Sequence, residues 1–162
     1  MARARFSEIL RLLAANEVEF IVVGMTAGVL QGAPVTTIDL DVVHRRTPEN
    51  VARLLRVLAS LDAIYRHDPR RLRPQESHLL GPGHQLLTTS HGDFDCLGTI
   101  GEGVAYEQLL ERTVEMGLSG GLTIRVLSLP ALIEAKEQAG RPKDLAVLPV
   151  LRATLDELER GT

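Results

Sequence analysis

Two aspartates separated by a single residue, Asp39 and Asp41, are the residues whose type and spacing best fit a chemical site. They fall in segment 36–43, whose alternating apolar and polar residues predict a β-strand. Side chains of a strand alternate between its two faces, so both carboxylates are expected on one face. The opposite face carries the apolar side chains of Ile38, Leu40 and Val42. Adjacent carboxylates repel each other, so their face is either a site for hard divalent cations or a solvent-facing side of an edge strand.

The segment before this strand predicts a binding site for an anion. The run 18–23 is rich in β-branched residues and predicts a buried strand that ends at Gly24. Residues 25–31 then predict a short helix, which Gly32 terminates. Free backbone N–H groups and the helix dipole attract anions at a helix start, where Thr26 adds a hydroxyl group. An anion site beside paired carboxylates indicates a metal-bound polyphosphate.

A third carboxylate is expected on a later hairpin. Segments 85–89 and 94–97 predict two strands, joined by a turn in which Gly92 supplies a positive φ. Asp95 lies between two apolar residues of the second strand, as expected of a third metal ligand. Asp93 falls on the same face, so alternation does not choose between the two. Asp95 is favoured because it lies deeper in the strand.

The order of these features is similar to that of a known family. An apolar strand, a glycine turn, a short helix, an Asp-x-Asp strand and a later aspartate resemble the core of the polymerase-beta-like nucleotidyltransferase superfamily. The resemblance implies an α+β fold, in which a mixed β-sheet is flanked by helices and further helices follow at the C-terminus. It also implies metal-dependent transfer of a nucleoside monophosphate from a nucleoside triphosphate, such as ATP, to an acceptor hydroxyl.

The same resemblance implies the roles of particular residues. Ligands of Mg²⁺ or Mn²⁺ would be Asp39, Asp41 and Asp95. The nucleotide phosphates would lie against Gly24, Met25 and Thr26. The family usually has Gly or Ser where this chain has Met25, so the Thr26 hydroxyl is expected to take over that contact.

The segment 132–144 resembles small nucleotidyltransferases, including toxins of the abortive-infection type. Lys136 lies in a predicted helix, and Arg141-x-Lys143-Asp144 begins the next one. The resemblance implies that Lys136 and Asp144 lie at the active site and that Arg141 and Lys143 help bind the nucleotide. A toxin of this type would modify RNA, in particular tRNA, and would have a cognate antitoxin as partner.

Three alternatives for the function remain open at this stage. An RNA-modifying enzyme would use the basic cluster 66–73, which is otherwise a solvated loop. An antibiotic-type enzyme acting on a small molecule would need walls for its acceptor from a homodimer or another partner. A degenerate nucleotide-binding module would use the same site without turnover. His44 and Arg45, just beyond the aspartate strand, would contact substrate or be solvated.

Composition limits the class of protein. At 162 residues the chain is expected to form one domain spanning 1–162, and its net charge of −3 gives no overall attraction to nucleic acid. The single cysteine, Cys96, excludes an internal disulfide. No apolar run has transmembrane length and no signal-peptide pattern is visible, so a cytoplasmic protein without membrane contact is expected.

Further helices are expected to support the site. Helical spacing of apolar residues predicts helices over 7–16, 49–61, 106–112, 128–139 and 141–159. Two short strands are predicted over 114–116 and 122–127. The apolar stripe of the last helix is expected to consist of Leu145, Leu148, Leu151, Leu155 and Leu158, with a kink at Pro149.

Overall fold

The computed structural model describes residues 5–161. Its helices are α1 Phe6–Ala15, α2 Gly24–Leu30, α3 Pro48–Ser60, α4 Glu76–Leu80, α5 Tyr106–Leu109, α6 Leu129–Ala139 and α7 Pro142–Arg160. A 3₁₀ turn, Leu110–Arg112, follows α5. The strands are β1 Phe20–Val23, β2 Asp39–His44, β3 Ile64–Tyr65, β4 His84–Thr89, β5 Gly92–Leu97, β6 Thr113–Gly117 and β7 Thr123–Leu127.

All seven strands form one mixed sheet in the order β3-β4-β5-β2-β1-β7-β6. The pairs β2–β5 and β1–β7 are parallel, and the other neighbouring pairs are antiparallel. All four residues of β1 are buried, as expected for an apolar strand at the centre of a sheet. The predicted α+β fold, a mixed sheet flanked by helices with helices at the C-terminus, is confirmed.

The predicted helix ends follow local capping chemistry. The Thr47 hydroxyl accepts a hydrogen bond from the backbone N–H of Asn50, and Pro48 occupies the first helical position of α3. Ser128 caps α6 in the same way, through the backbone N–H of Ala131. Gly140 then ends α6 with a φ of 63°, which allows α7 to begin two residues later. The two C-terminal helices are therefore joined by a connection of fixed shape.

The sequence predicts Ile38 on the core face of β2, and this prediction is wrong. Ile38 is 76% exposed. The ladder between β2 and β5 begins at the pair Asp39–Asp93, so residue 38 precedes the strand and its side chain does not follow the strand's alternation. Leu40 and Val42 are fully buried, as expected.

The predicted apolar stripe of α7 is partly wrong. Leu148 and Leu151 are buried, whereas Leu145 and Leu158 are 50% and 46% exposed. The buried face of α7 begins at Asp144 and continues through Thr154, so Leu145 lies beside it. Leu158 lies near the end of a helix of 19 residues that packs against an α6 of only 11. The helix continues through Pro149, and the kink stays a prediction.

His44 lies in the core and not at a substrate surface or in solvent. Its ring is fully buried, and Nε2 is 2.7 Å from the backbone oxygen of Leu79, in α4. Burial lowers the pKa of His44. The sequence does not predict the short helix α4, because five residues give too little periodicity.

Within residues 5–161, no helix is both long and apolar enough to span a membrane.

Candidate active site

The predicted carboxylates meet at one edge of the sheet, where β1 ends and β2 and β5 begin. Because β2 and β5 are parallel neighbours, Asp41 lies beside Asp95, and Asp39 lies beside Asp93. On the other side of β2, Asp41 is paired with Val23, the last residue of β1. The structure therefore brings the three predicted metal ligands onto one face of two adjacent strands.

The pKa of Asp41 is strongly altered by its surroundings. Its pKa is raised to about 7, first by burial and then by the negative charge of Asp95 and by a hydrogen bond between the two carboxyl groups. The charge of Asp39 raises it further, while the nearby Lys136 lowers it. Without a bound cation, Asp41 is therefore partly protonated at neutral pH.

Burial distinguishes the two candidates for the third carboxylate. The side chain of Asp95 is 9% exposed and hydrogen-bonds with Asp41, whereas that of Asp93 is 32% exposed. Asp93 accepts a hydrogen bond of 2.8 Å from the Thr88 hydroxyl on the neighbouring strand. The geometry thus favours Asp95 as the partner of Asp41, in agreement with its deeper position in the strand.

Arg66, the first residue of the basic cluster 66–73, lies against the carboxylates of the site. Its Nη2 lies 2.8 Å from Oδ1 of Asp95, and its Nη1 lies 3.3 Å from Oδ2 of Asp93. The register explains this position, because the backbone N–H of Arg66 donates to the oxygen of Leu86, and Leu86 is paired with Asp95. Arg66 is therefore part of the carboxylate site and not of an exposed basic surface.

The rest of the basic cluster is partly neutralised by acidic neighbours. Arg70 contacts Asp68 at 2.8 Å, and Arg73 lies 3.5 Å from Asp62. The hydrogen bonds from Arg70 lower the pKa of Asp68 to about 2. These pairs are exposed, so they leave a local loop of mixed charge and not a uniform positive patch.

Gly24 allows the chain to pass directly against Asp41. Its φ is 63°, and a Cβ atom built on it would lie 2.5 Å from Oδ2 of Asp41. The next residue, Met25, is partly buried and packs against the core. Thr26 is buried, and its hydroxyl donates a hydrogen bond of 2.9 Å to the backbone oxygen of Asp39. In this arrangement Thr26 fixes the start of β2, so a contact to phosphate would require it to exchange that bond.

If the predicted site binds metal and nucleotide, substitution of Gly24 by alanine is expected to abolish that binding. The new methyl group would displace the Asp41 carboxylate, and a positive φ costs a non-glycine residue about 1 kcal/mol or more. Gly101→Ala is the matched control, because its φ is 55° and no atom lies within 4 Å of a Cβ there. Calorimetric titration with Mn²⁺ and nucleotide should show loss in Gly24→Ala and normal binding in Gly101→Ala. Equal binding by both variants would contradict the prediction that Asp41 belongs to the binding site.

The C-terminal helices contribute a second charged cluster. Asp144 is fully buried and accepts from Nζ of Lys136 at 3.2 Å and from Nε of Arg141 at 2.6 Å. The hydrogen bonds from Arg141, and next those from Lys136, lower the pKa of Asp144 to about 2. Lys136 is close enough to Asp41 to lower its pKa, so it links this cluster to the carboxylates of the sheet. Lys143 is exposed at the start of α7.

The donor set fits a hard divalent cation, although it is not preassembled. No three His, Cys, Asp or Glu side chains among residues 5–161 are close enough together to form a ready metal cluster. Carboxylate oxygens are nevertheless the ligands that Mg²⁺ and Mn²⁺ prefer. Burial, and next the negative charge of Asp95, raise the pKa of Asp41, and Gly24 brings no side chain against its Oδ2. Arg66 lies 2.8 Å from Oδ1 of Asp95, an oxygen that such a cation would also use.

Comparison with known proteins gives structural matches only. The chain matches no family model, and no curated protein matches its sequence. A crystal structure of a candidate nucleotidyltransferase from Thermotoga maritima superposes with a TM-score of 0.56 at 20% identity, covering 97% of this chain and 96% of that one. The solution structure of the antibiotic-resistance factor ANT(2'')-Ia superposes with a TM-score of 0.56 at 15% identity, covering 94% of this chain and 82% of that one. The chain therefore has the nucleotidyltransferase fold.

Proposed function

We propose that this protein transfers a nucleoside monophosphate from a nucleoside triphosphate to an acceptor hydroxyl, with Mg²⁺ or Mn²⁺ as cofactor. The observation that carries the proposal is the placement of Asp39, Asp41 and Asp95 on one face of β2 and β5, directly against Gly24. The shared fold supports the same class of reaction.

In this proposal all three carboxylates bind the cation, and one of them also accepts a proton. Asp39, Asp41 and Asp95 would hold the cation, which when bound would neutralise charge on the triphosphate and lower the pKa of the acceptor hydroxyl. Asp95 would also accept the proton of that hydroxyl, since its own pKa is raised, chiefly by burial. The absence of a side chain at Gly24 lets the Asp41 carboxylate lie directly against the backbone at the end of β1.

The basic residues would contact the nucleotide. Lys136 is 18% exposed and lies close to Asp41, so it would offset the charge that develops on the phosphoryl group. Arg141 is 58% exposed although it binds Asp144, and Lys143 is exposed beside it. Both would approach the triphosphate from the start of α7. Thr26 would join them only by exchanging its bond to Asp39.

The resemblance to toxins favours RNA as the acceptor. A toxin-type enzyme would also have a cognate antitoxin as its partner. The pairing of Arg66 with Asp95 and of Arg70 with Asp68 reduces the basic surface available for RNA. A small-molecule acceptor instead requires walls from a homodimer or another partner. Both classes supply a hydroxyl group, so the proposed chemistry is the same for each.

Transfer of labelled nucleotide is the experiment that tests this function. The protein would be incubated with Mn²⁺ and each α-labelled triphosphate in the presence of RNA, total small metabolites or aminoglycosides. The label is expected to appear on one of these acceptor classes. This transfer is expected to require the metal. Metal-dependent nucleotide binding without transfer to any acceptor would favour the degenerate binding module.

A further inference from the structure

Arg66 is held by the carboxylate site through three contacts. Its guanidinium lies 2.8 Å from Asp95 and 3.3 Å from Asp93, and Nη1 also donates to the backbone oxygen of Leu87 at 3.0 Å. Its side chain is only 15% exposed. The charges of Asp95, Asp93 and Asp39 raise the pKa of Arg66 against the effect of burial. A guanidinium with these partners is an ordered part of the site.

The guanidinium uses an oxygen atom that a divalent cation would need. Oδ1 of Asp95 accepts the charge-assisted bond from Arg66, while the Asp95 carboxyl group also hydrogen-bonds with Asp41. A second cation at this oxygen would be repelled by the arginine at short range.

We propose that Arg66 serves as the counter-cation of the metal-free site and competes with the divalent cation for Asp95. This proposal rests on the proposed function, because it takes Asp39, Asp41 and Asp95 as the metal ligands. Arg66 offsets the repulsion among four neighbouring carboxylates, those of Asp39, Asp41, Asp93 and Asp95. It therefore stabilises the folded chain without metal and lowers its affinity for metal.

Arg66 is expected to raise the stability of the metal-free protein and to lower its affinity for metal. These opposite effects distinguish its proposed role from that of a purely structural ion pair. Loss of the arginine should destabilise the metal-free protein, because the carboxylates lose their counter-charge. The same loss should strengthen metal binding, because one competing positive charge is removed. A residue that only positioned Asp95 for the metal would weaken metal binding when replaced.

The test compares Mn²⁺ binding and thermal unfolding in Arg66→Gln, Arg66→Lys and wild type. Free Mn²⁺ is followed by electron paramagnetic resonance, and unfolding is measured in a chelator. Arg66→Gln is expected to unfold at a lower temperature and to bind Mn²⁺ about tenfold more tightly. Arg66→Lys keeps the charge but not the paired contacts, so its affinity should lie between the two. The matched control is Arg152→Gln, which removes an exposed pair with Glu137 and should behave as wild type.

Equal or weaker Mn²⁺ binding by Arg66→Gln would overturn the proposal. If Arg66→Gln does not fold, equal affinity of wild type and Arg66→Lys would overturn it instead. Asp39→Asn separates this failure from failure of the proposed function. Loss of Mn²⁺ binding in Asp39→Asn without a gain in Arg66→Gln would reject only the role of Arg66. Unchanged binding in Asp39→Asn would reject the metal site, and the role of Arg66 with it.

Discussion

Replacement of Asp41 by asparagine is expected to abolish nucleotidyl transfer while leaving the fold intact. Asp41 lies between Asp95 and the Gly24 turn, so the amide would remove a charged ligand from the centre of the site. Loss of such a ligand should lower the rate by roughly a thousandfold, which corresponds to about 4 kcal/mol of transition-state stabilisation. The measurement is metal-dependent transfer of labelled nucleotide by equal amounts of folded protein.

The same substitution should stabilise the metal-free protein at alkaline pH. The folded chain favours the protonated form of Asp41, whose pKa is about 7 instead of 3.8. The free energy of unfolding therefore falls as the pH rises from about 4 to 7, because the folded state binds more protons in that range. Asparagine does not ionise, so Asp41→Asn should gain about 2 kcal/mol over wild type at pH 8. It should gain little below pH 4.

Asp62→Asn is the control for both effects, because the side chain of Asp62 is 74% exposed and pairs only loosely with Arg73. Its activity and stability should stay close to those of wild type. An inactive Asp41→Asn that is also unfolded at pH 8 would contradict the account of repulsion among the carboxylates. An active Asp41→Asn would contradict its role in the site.

Replacement of Asp144 by alanine is expected to produce the largest loss of stability. Its carboxylate is fully buried, binds Lys136 and Arg141, and accepts from the backbone N–H of Arg141 at the start of α7. Alanine would leave the Lys136 ammonium without its partner and would remove the N-terminal cap. The expected loss is about 3 kcal/mol, below the upper range for buried pairs because Arg141 is largely exposed.

The pH dependence of stability tests the contribution of the Asp144 carboxylate independently. A pKa lowered to about 2 means that its contribution is present above the unfolded value of 3.8 and is lost as the pH falls through 2. Denaturant unfolding at pH 7 and pH 3 should therefore show a smaller difference between wild type and Asp144→Ala at the lower pH. Asp156→Ala, on the exposed side of α7, should change stability by less than about 0.5 kcal/mol. A loss equally small in Asp144→Ala would contradict the role of the buried cluster.

Local patterns predicted the parts of the site that depend on neighbours in sequence. Alternation placed Asp39 and Asp41 on one face, and the deeper position of Asp95 in its strand agrees with its burial. Capping chemistry located the ends of α3 and α6. Each of these inferences needs only a few consecutive residues, which is why the sequence carried them.

The remaining features depend on contacts between distant segments. Arg66 reaches Asp95 only because β3, β4 and β5 pair in one register, and residues 66 and 95 are 29 apart in sequence. Ile38 is exposed because its strand begins one residue later. His44 is buried by α4, which is too short to show a period of its own. Periodicity does not encode such pairings, so their consequences appear only in the folded structure.

The most direct test of the central claim is thermal unfolding of wild type and Asp39→Asn with Mn²⁺ and each of the four nucleoside triphosphates. Ligand at a hundred times its dissociation constant should stabilise the folded protein by about 2.7 kcal/mol. A joint metal and nucleotide site predicts that wild type shifts only when both are present, that one base is preferred, and that Asp39→Asn does not shift. An equal shift in Asp39→Asn, or no shift of wild type with any triphosphate, would contradict the claim that these aspartates form a metal–nucleotide site.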